Sequence, residues 1–380
     1  MKTRLNSSLG IQSFLLPLFT IKNIPFYAPN GVFYAIYLLK NIFFSICLVY
    51  WFFFHIFAPL EPAKPLHNAQ IGGSFFLYRY MKTNYPKHFS SPTQIVQILK
   101  NNRGMIFTDE SRAERYLTNI SYHRLSAYIF PFYKIPKTNL LLKDGTTFDK
   151  VLSLYRFDKK LRILLFNEME KIEVAIRSVL ANFGCNELHD DYWITVPTHF
   201  ANSSKFNQTM SVVDKEIDAS KEDYIEDFRA SYIEPYPPAW MITEVLSFGN
   251  LNYIYSNIAS NQLRKHIADY FGIKPKVFVS WLTILANLRN MCCHHARVWN
   301  REFALRPAEA LRLRDAWIDT SRIDHKRICY RLCIVKYLLN VISPNNDMTE
   351  KLKLLLTDFP MIDISAMGFP SNWNDEMLWK

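Results

Sequence analysis

Arg289, Asn290, His294, His295, Arg297 and Arg301 bring titratable and phosphate-seeking groups together within residues 288–301. Histidine changes charge near neutral pH and can move a proton. Arginine holds a phosphate in a planar fork of donors. An arginine and a histidine with four residues between them supply the minimum for cleaving RNA without a metal ion: one group to transfer protons and one to absorb charge on phosphorus. Cys292 and Cys293 stand beside the histidines, but four consecutive helical residues point about 100° apart and do not converge on one tetrahedral zinc ion. No metal or cofactor site is expected.

The element that must position these groups reads as a helix from Val277 to about Trp299, opened by Pro275. Val277, Trp281, Ile284, Leu285, Leu288, Met291 and Cys292 form its apolar stripe. With about 100° of turn per residue, Asn287, Asn290, His294, Arg297 and Arg301 fall within an arc of roughly 80°. That arc holds no acid, whereas a merely solvated face usually mixes both signs, so it is expected to meet an anion. Arg289 lies about 140° from His294 on an ideal helix. Three arrangements bring the two together: a side chain that wraps round, a distorted helix end, or a second copy of the helix across a dimer axis. The bland alternative packs both histidines and pairs Arg289 with a helix acid such as Glu173.

Around this helix the pattern is mainly α. Ser91, Pro92 and Thr93 form a helix start, and Thr108 and Asp109 open another through Leu117. Thr147 precedes the strongest signal, Phe148 to about Phe183, with Gly184 placed as its stop. Glu170, Glu173 and Arg177 are spaced to pair along one side of that helix, as a solvated or interface salt-bridge row. A short acidic helix is expected near Lys221–Ala230, then Trp240–Val245, Asn250–Ile258, Leu311–Trp317 and Arg322–Val341. Tyr122 and Tyr128 are candidates for stacking on bases.

Composition sets the limits. The chain has 380 residues and a net charge of +11. Residues 1–80 hold six Lys or Arg and one acid, a balance of +5, so the remainder carries +6, a modest bias toward anionic partners. Six cysteines without a regular framework read as reduced thiols. Residues 41–60 are apolar and long enough to cross a bilayer. Residues 1–80 are therefore a membrane anchor or a mis-assigned start, with Met81 opening the working chain. A cytoplasmic protein is expected, the alternative being a single-pass inner-membrane one.

Residues 289–301 resemble the signature of the Abi-like abortive-infection proteins of bacteria, within the HEPN superfamily of helical ribonucleases. Residues 116–128, Tyr155 to Asp158 with Glu170 to Arg177, and Glu244 to Gly249 resemble further blocks in the same order. The resemblance covers roughly residues 90–305 and implies a HEPN-type helical bundle over 81–305, with 306–380 as a C-terminal extension. It further implies a homodimer, a metal-independent endoribonuclease, and a role in phage defence or as the toxin of a toxin–antitoxin pair restrained by an RNA or protein antitoxin. Carried onto this chain, Arg289 and His294 take the catalytic places, and Asn290, His295, Arg297 and Arg301 hold RNA. A non-catalytic RNA-binding protein and a membrane-anchored sensor of infection remain the alternatives.

Overall fold

The computed structural model describes residues 88–310 and 313–380. The apolar run 41–60, Met81, Leu311 and Arg312 lie outside the described residues. Twelve α-helices follow in order: α1 Pro92–Gln97, α2 Glu110–Ile120, α3 Tyr122–Ile129, α4 Phe148–Leu188, α5 Ser203–Ala219, α6 Asp223–Ser231, α7 Ala239–Val245, α8 Phe248–Asn257, α9 Asn261–Tyr270, α10 Pro275–Cys293, α11 Ile328–Ile342 and α12 Met348–Asp358. The described residues contain isolated β-bridges but no named strand, so the mainly-α expectation holds. No described helix is long and apolar enough to cross a membrane.

The bundle is organised by α4, 41 residues long and so about 60 Å from end to end. It packs against α3, α7, α8, α9, α10, α11 and α12. Its apolar positions, among them Val151, Leu154, Leu161, Leu165, Met169 and Ile172, are buried in one continuous core. Thr147 starts the helix by accepting the Lys150 N–H. Helix α11 is buried on every side from Ile328 to Leu339, the pattern of a core helix rather than an amphipathic one.

Several expected boundaries move. Helix α4 runs past Gly184 to Leu188 and ends with His189 at φ +51°. Gly184 is there for space: a Cβ would lie 2.3 Å from the Trp193 ring, which is fully buried. The helix expected from Arg322 begins at Ile328. Asp319 and Asp324 accept the backbone N–H groups of Ser321 and Lys326, local bonds that compete with helix formation. Residues 313–319 form no helix either; Arg314 bonds the end of α9 through the carbonyls of Asp269 and Tyr270. Helices α5, α9 and α12 were not anticipated; α5 and α9 offer little more than one apolar residue per turn among polar ones.

Of the two settings expected for the row of charges on α4, solvated or interface, the second holds for its paired members. Glu173 and Arg177 are buried and only Glu170 is exposed. Three buried acids recur along this helix, each with its own cation: Asp158 with Arg162, Glu168 with Lys171 and Lys351, and Glu173 with Arg177.

Gly184→Ala should overpack the Trp193 contact. A loss of about 1–3 kcal/mol is expected in urea unfolding, and wild-type stability would show that Trp193 can move aside at no cost.

Candidate functional site

Helix α10 has Pro275 in its first turn and buries Phe278, Trp281, Leu282, Leu285, Leu288 and Cys292 against α4, α8, α9 and α11. Thr283, Asn287, Asn290 and His294 face outward. The helix stops at Cys293, six residues before the expected Trp299. His295 takes φ +57°. The Ala296 N–H donates to the Met291 carbonyl at 2.8 Å, and the His295 N–H donates to that of Cys292 at 3.1 Å. This pair of bonds is a Schellman C-cap with a histidine in the left-handed position usually held by glycine. The predicted polar stripe is therefore corrected: Asn287, Asn290 and His294 share a face, while Arg297 and Arg301 leave the helix axis with the loop beyond it.

What ends the helix is visible one layer down. The Asp158 carboxylate on α4 is fully buried. One oxygen accepts the N–H groups of Val298 at 3.1 Å and Trp299 at 2.7 Å. The other accepts the Tyr128 hydroxyl at 2.5 Å and pairs with Arg162. Burial pushes the Asp158 carboxyl up, and Arg162, Tyr128 and the two N–H groups oppose it. Arg124 donates to the His295 carbonyl at 2.6 Å, and Arg162 to that of Ala296 at 3.5 Å. The Tyr128 and Trp299 rings lie parallel, with centroids 6.5 Å apart. Residues 295–299 are thus clamped from α3 and α4, and a helix continuing to Trp299 would lose these bonds. Tyr128 is consequently a core ligand of Asp158 and no surface for bases. Tyr122 accepts a bond from Arg103, which also bonds Tyr133.

The clamp leaves His294 and His295 exposed, and neither ring meets a side-chain partner among the described residues. Arg289 is different. Its Nε lies 3.2 Å from Glu173 Oε2 and its Nη2 donates to Glu173 Oε1 at 3.4 Å. Glu173 is shared with Arg177, whose Nη2 lies 2.6 Å away and whose Nη1 donates to the carbonyls of Thr243 and Glu244 at the end of α7. Two guanidiniums face one carboxylate, leaving one net positive charge, and Arg289 carries the more exposed of the two. The pairing that the bland reading assigned to Arg289 is present; the packing it assigned to the histidines is not. Glu173 takes the Nε–Nη2 edge and Asn290 Oδ1 accepts from Nη1 at 3.2 Å, so the guanidinium is held in a set orientation.

The remaining candidates divide. Arg297 is part-buried and donates to the Asn300 carbonyl at 2.8 Å, while Arg301 is exposed and reaches back to the Arg297 carbonyl at 3.4 Å. Cys292 is no nucleophile at neutral pH, because burial pushes its thiol up to about 12. The residues that position the site, Asp158 and Arg162, were not singled out from the sequence. Their signal was available: a charged pair four residues apart on the apolar side of a long helix, flanked by Leu154, Leu161 and Leu165.

Asp158→Ala should leave Arg162 buried without its partner and release the loop. A loss of about 3–5 kcal/mol is expected, with faster amide exchange at Val298 and Trp299. Unchanged exchange at those two amides would mean that the carboxylate does not hold the loop.

No match was found among curated proteins or among solved structures. Residues 115–300 match the family model described as Abi-like protein. That span contains every group of the clamp and of the Arg289 cluster: Tyr128, Asp158, Arg162, Glu173, Arg177, the Glu244 carbonyl and the end of α10. Residues 115–300 are thus similar to Abi-like proteins.

Proposed function

We propose that this chain is an abortive-infection effector of the HEPN kind whose Abi-like region cleaves RNA in phage defence. The observation that carries this reading is an acid-free exposed face ending in His294, beside an arginine whose orientation Glu173 and Asn290 set. His294 takes the proton from a ribose 2′-hydroxyl as the 2′-oxygen attacks phosphorus. Arg289 absorbs charge developing on the phosphorane oxygens. The 5′-oxygen leaves with a proton, giving a 2′,3′-cyclic phosphate and a 5′-hydroxyl. Histidine performs the proton transfers, so the steps call for no metal. DNA resists because it lacks the nucleophile. Asn290, His295, Arg297 and Arg301 bind the strand. Two copies meeting at the exposed face of α10 would bring a second Arg289 and His294 to the same phosphate, supplying the acid as well as the base. The Abi-like match supports the role in abortive infection; an RNA or protein antitoxin as restraint is part of the proposal alone.

One observation favours a second reading, a non-catalytic RNA grip: Arg289 is already engaged by Glu173, which reduces the charge it offers a phosphate. His294→Ala separates the two. In the enzyme it lowers cleavage by about 10²- to 10⁴-fold and leaves RNA affinity nearly unchanged. In a grip, wild type cleaves nothing and the substitution weakens binding alone.

A further inference from the structure

Beyond the helix end, the chain gathers arginines in excess of the acids beside them, Glu302 and Asp324. Asn300 takes φ +44°, and this turn folds Arg301 back toward Arg297. Its carbonyl accepts from Arg297 and its side-chain oxygen accepts from Arg327 Nη1 at 3.4 Å. Asn300 thus orients two guanidiniums without neutralising either. Neither Arg297 nor Arg301 has a carboxylate within ion-pair distance among the described residues, and Arg327 has only Asp324, at 3.5 Å. Asp158, the buried acid of this neighbourhood, has both oxygens committed to Arg162, Tyr128 and two backbone amides. Burial lowers the Arg297 guanidinium, Tyr128 and Asp158 oppose this, and Arg301 and Arg327 add smaller lowering effects.

Arg327 comes from outside the Abi-like span. Its stem is held by the C-terminal chain: Gly368, at φ +87°, passes so close that a Cβ would lie 2.6 Å from Arg327 Cβ and 3.1 Å from Cγ. Three cations are brought together by a turn and a pinned stem, with Asp324 beside Arg327 and the neighbouring Glu302 paired with Lys326, so positive charge stays in excess and favours an anion. The planar donor fork of arginine matches phosphate oxygens.

We propose that Arg297, Arg301 and Arg327, gathered round Asn300, form a subsite for a backbone phosphate of the single-stranded RNA whose neighbouring linkage lies at His294. The subsite deepens the ribonuclease reading and rests on it for the identity of the strand. It also gives the chain beyond residue 305 a task, which is to complete the strand-binding surface through Arg327.

The test is the salt dependence of binding of a short 2′-O-methyl RNA, which cannot be cleaved, to the full-length chain by fluorescence anisotropy. Arg301→Ala and Arg327→Ala should each weaken binding and reduce the slope of log affinity against log salt by about 0.7. Arg327→Lys should restore the slope but not the full affinity. Lys215→Ala, an exposed cation on α5, should match wild type. Slopes for both arginine variants equal to that of Lys215→Ala overturn the subsite, and because Arg301 is exposed its variant reports even if Arg327→Ala unfolds. Failure of the ribonuclease reading looks different: intact RNA with wild-type protein while the arginine-dependent slope persists.

Discussion

A single buried carboxylate shapes the functional end of this protein. Asp158 gathers two side-chain donors and two backbone amides, from α3, from its own helix and from the loop after α10. A charge in that position is tolerated only because all its acceptor capacity is used. The arrangement works in both directions. The loop satisfies the acid, and the acid dictates where the loop begins. Helix α10 must stop at Cys293, His295 must turn left-handed, and both imidazoles must project outward. The histidines are exposed because the backbone beneath them is not.

The same device recurs along α4. Asp158 fixes the loop after α10, Glu168 meets Lys351 on α12, and Glu173 with Arg177 holds the end of α7 and the guanidinium of Arg289. Hydrophobic packing brings these helices against α4, but apolar contact tolerates sliding. Hydrogen-bonded ion pairs at three levels specify the register. Arg289 and the His294 loop are therefore referenced to the same helix through two separate clusters. The α3 and α7 segments that resemble the family's other blocks are the ones these clusters touch.

Much of this was legible before the structure. The mainly-α class, the Thr147 and Ser91 helix starts, the long helix and the exposed face carrying Asn287, Asn290 and His294 follow from periodicity and capping chemistry. The end of α10 was not legible, because what terminates it is a partner about 140 residues away in sequence. Local reading saw Arg297 and Arg301 as continuing a helix and assigned them to its face. Gly184 was mistaken for a stop for a similar reason: its job is to admit Trp193, and contact with a distant ring leaves no local pattern. Glu173 and Arg177 could be read as either solvated or interface charges, because pairing at i and i+4 is the same whether water or α7 covers it. Helices with one apolar residue per turn, such as α5 and α9, fall below what periodicity alone detects.

In the proposed function, histidine oriented by this framework moves the protons in RNA cleavage. The chemistry leaves a specific trace in the product ends. Full-length protein incubated with RNA in excess EDTA should yield fragments ending in 2′,3′-cyclic phosphate and beginning with a 5′-hydroxyl, the signature of attack by the ribose itself. Fragments bearing 5′-phosphates, or cleavage that stops when EDTA is added, would contradict the account and move the reaction away from His294.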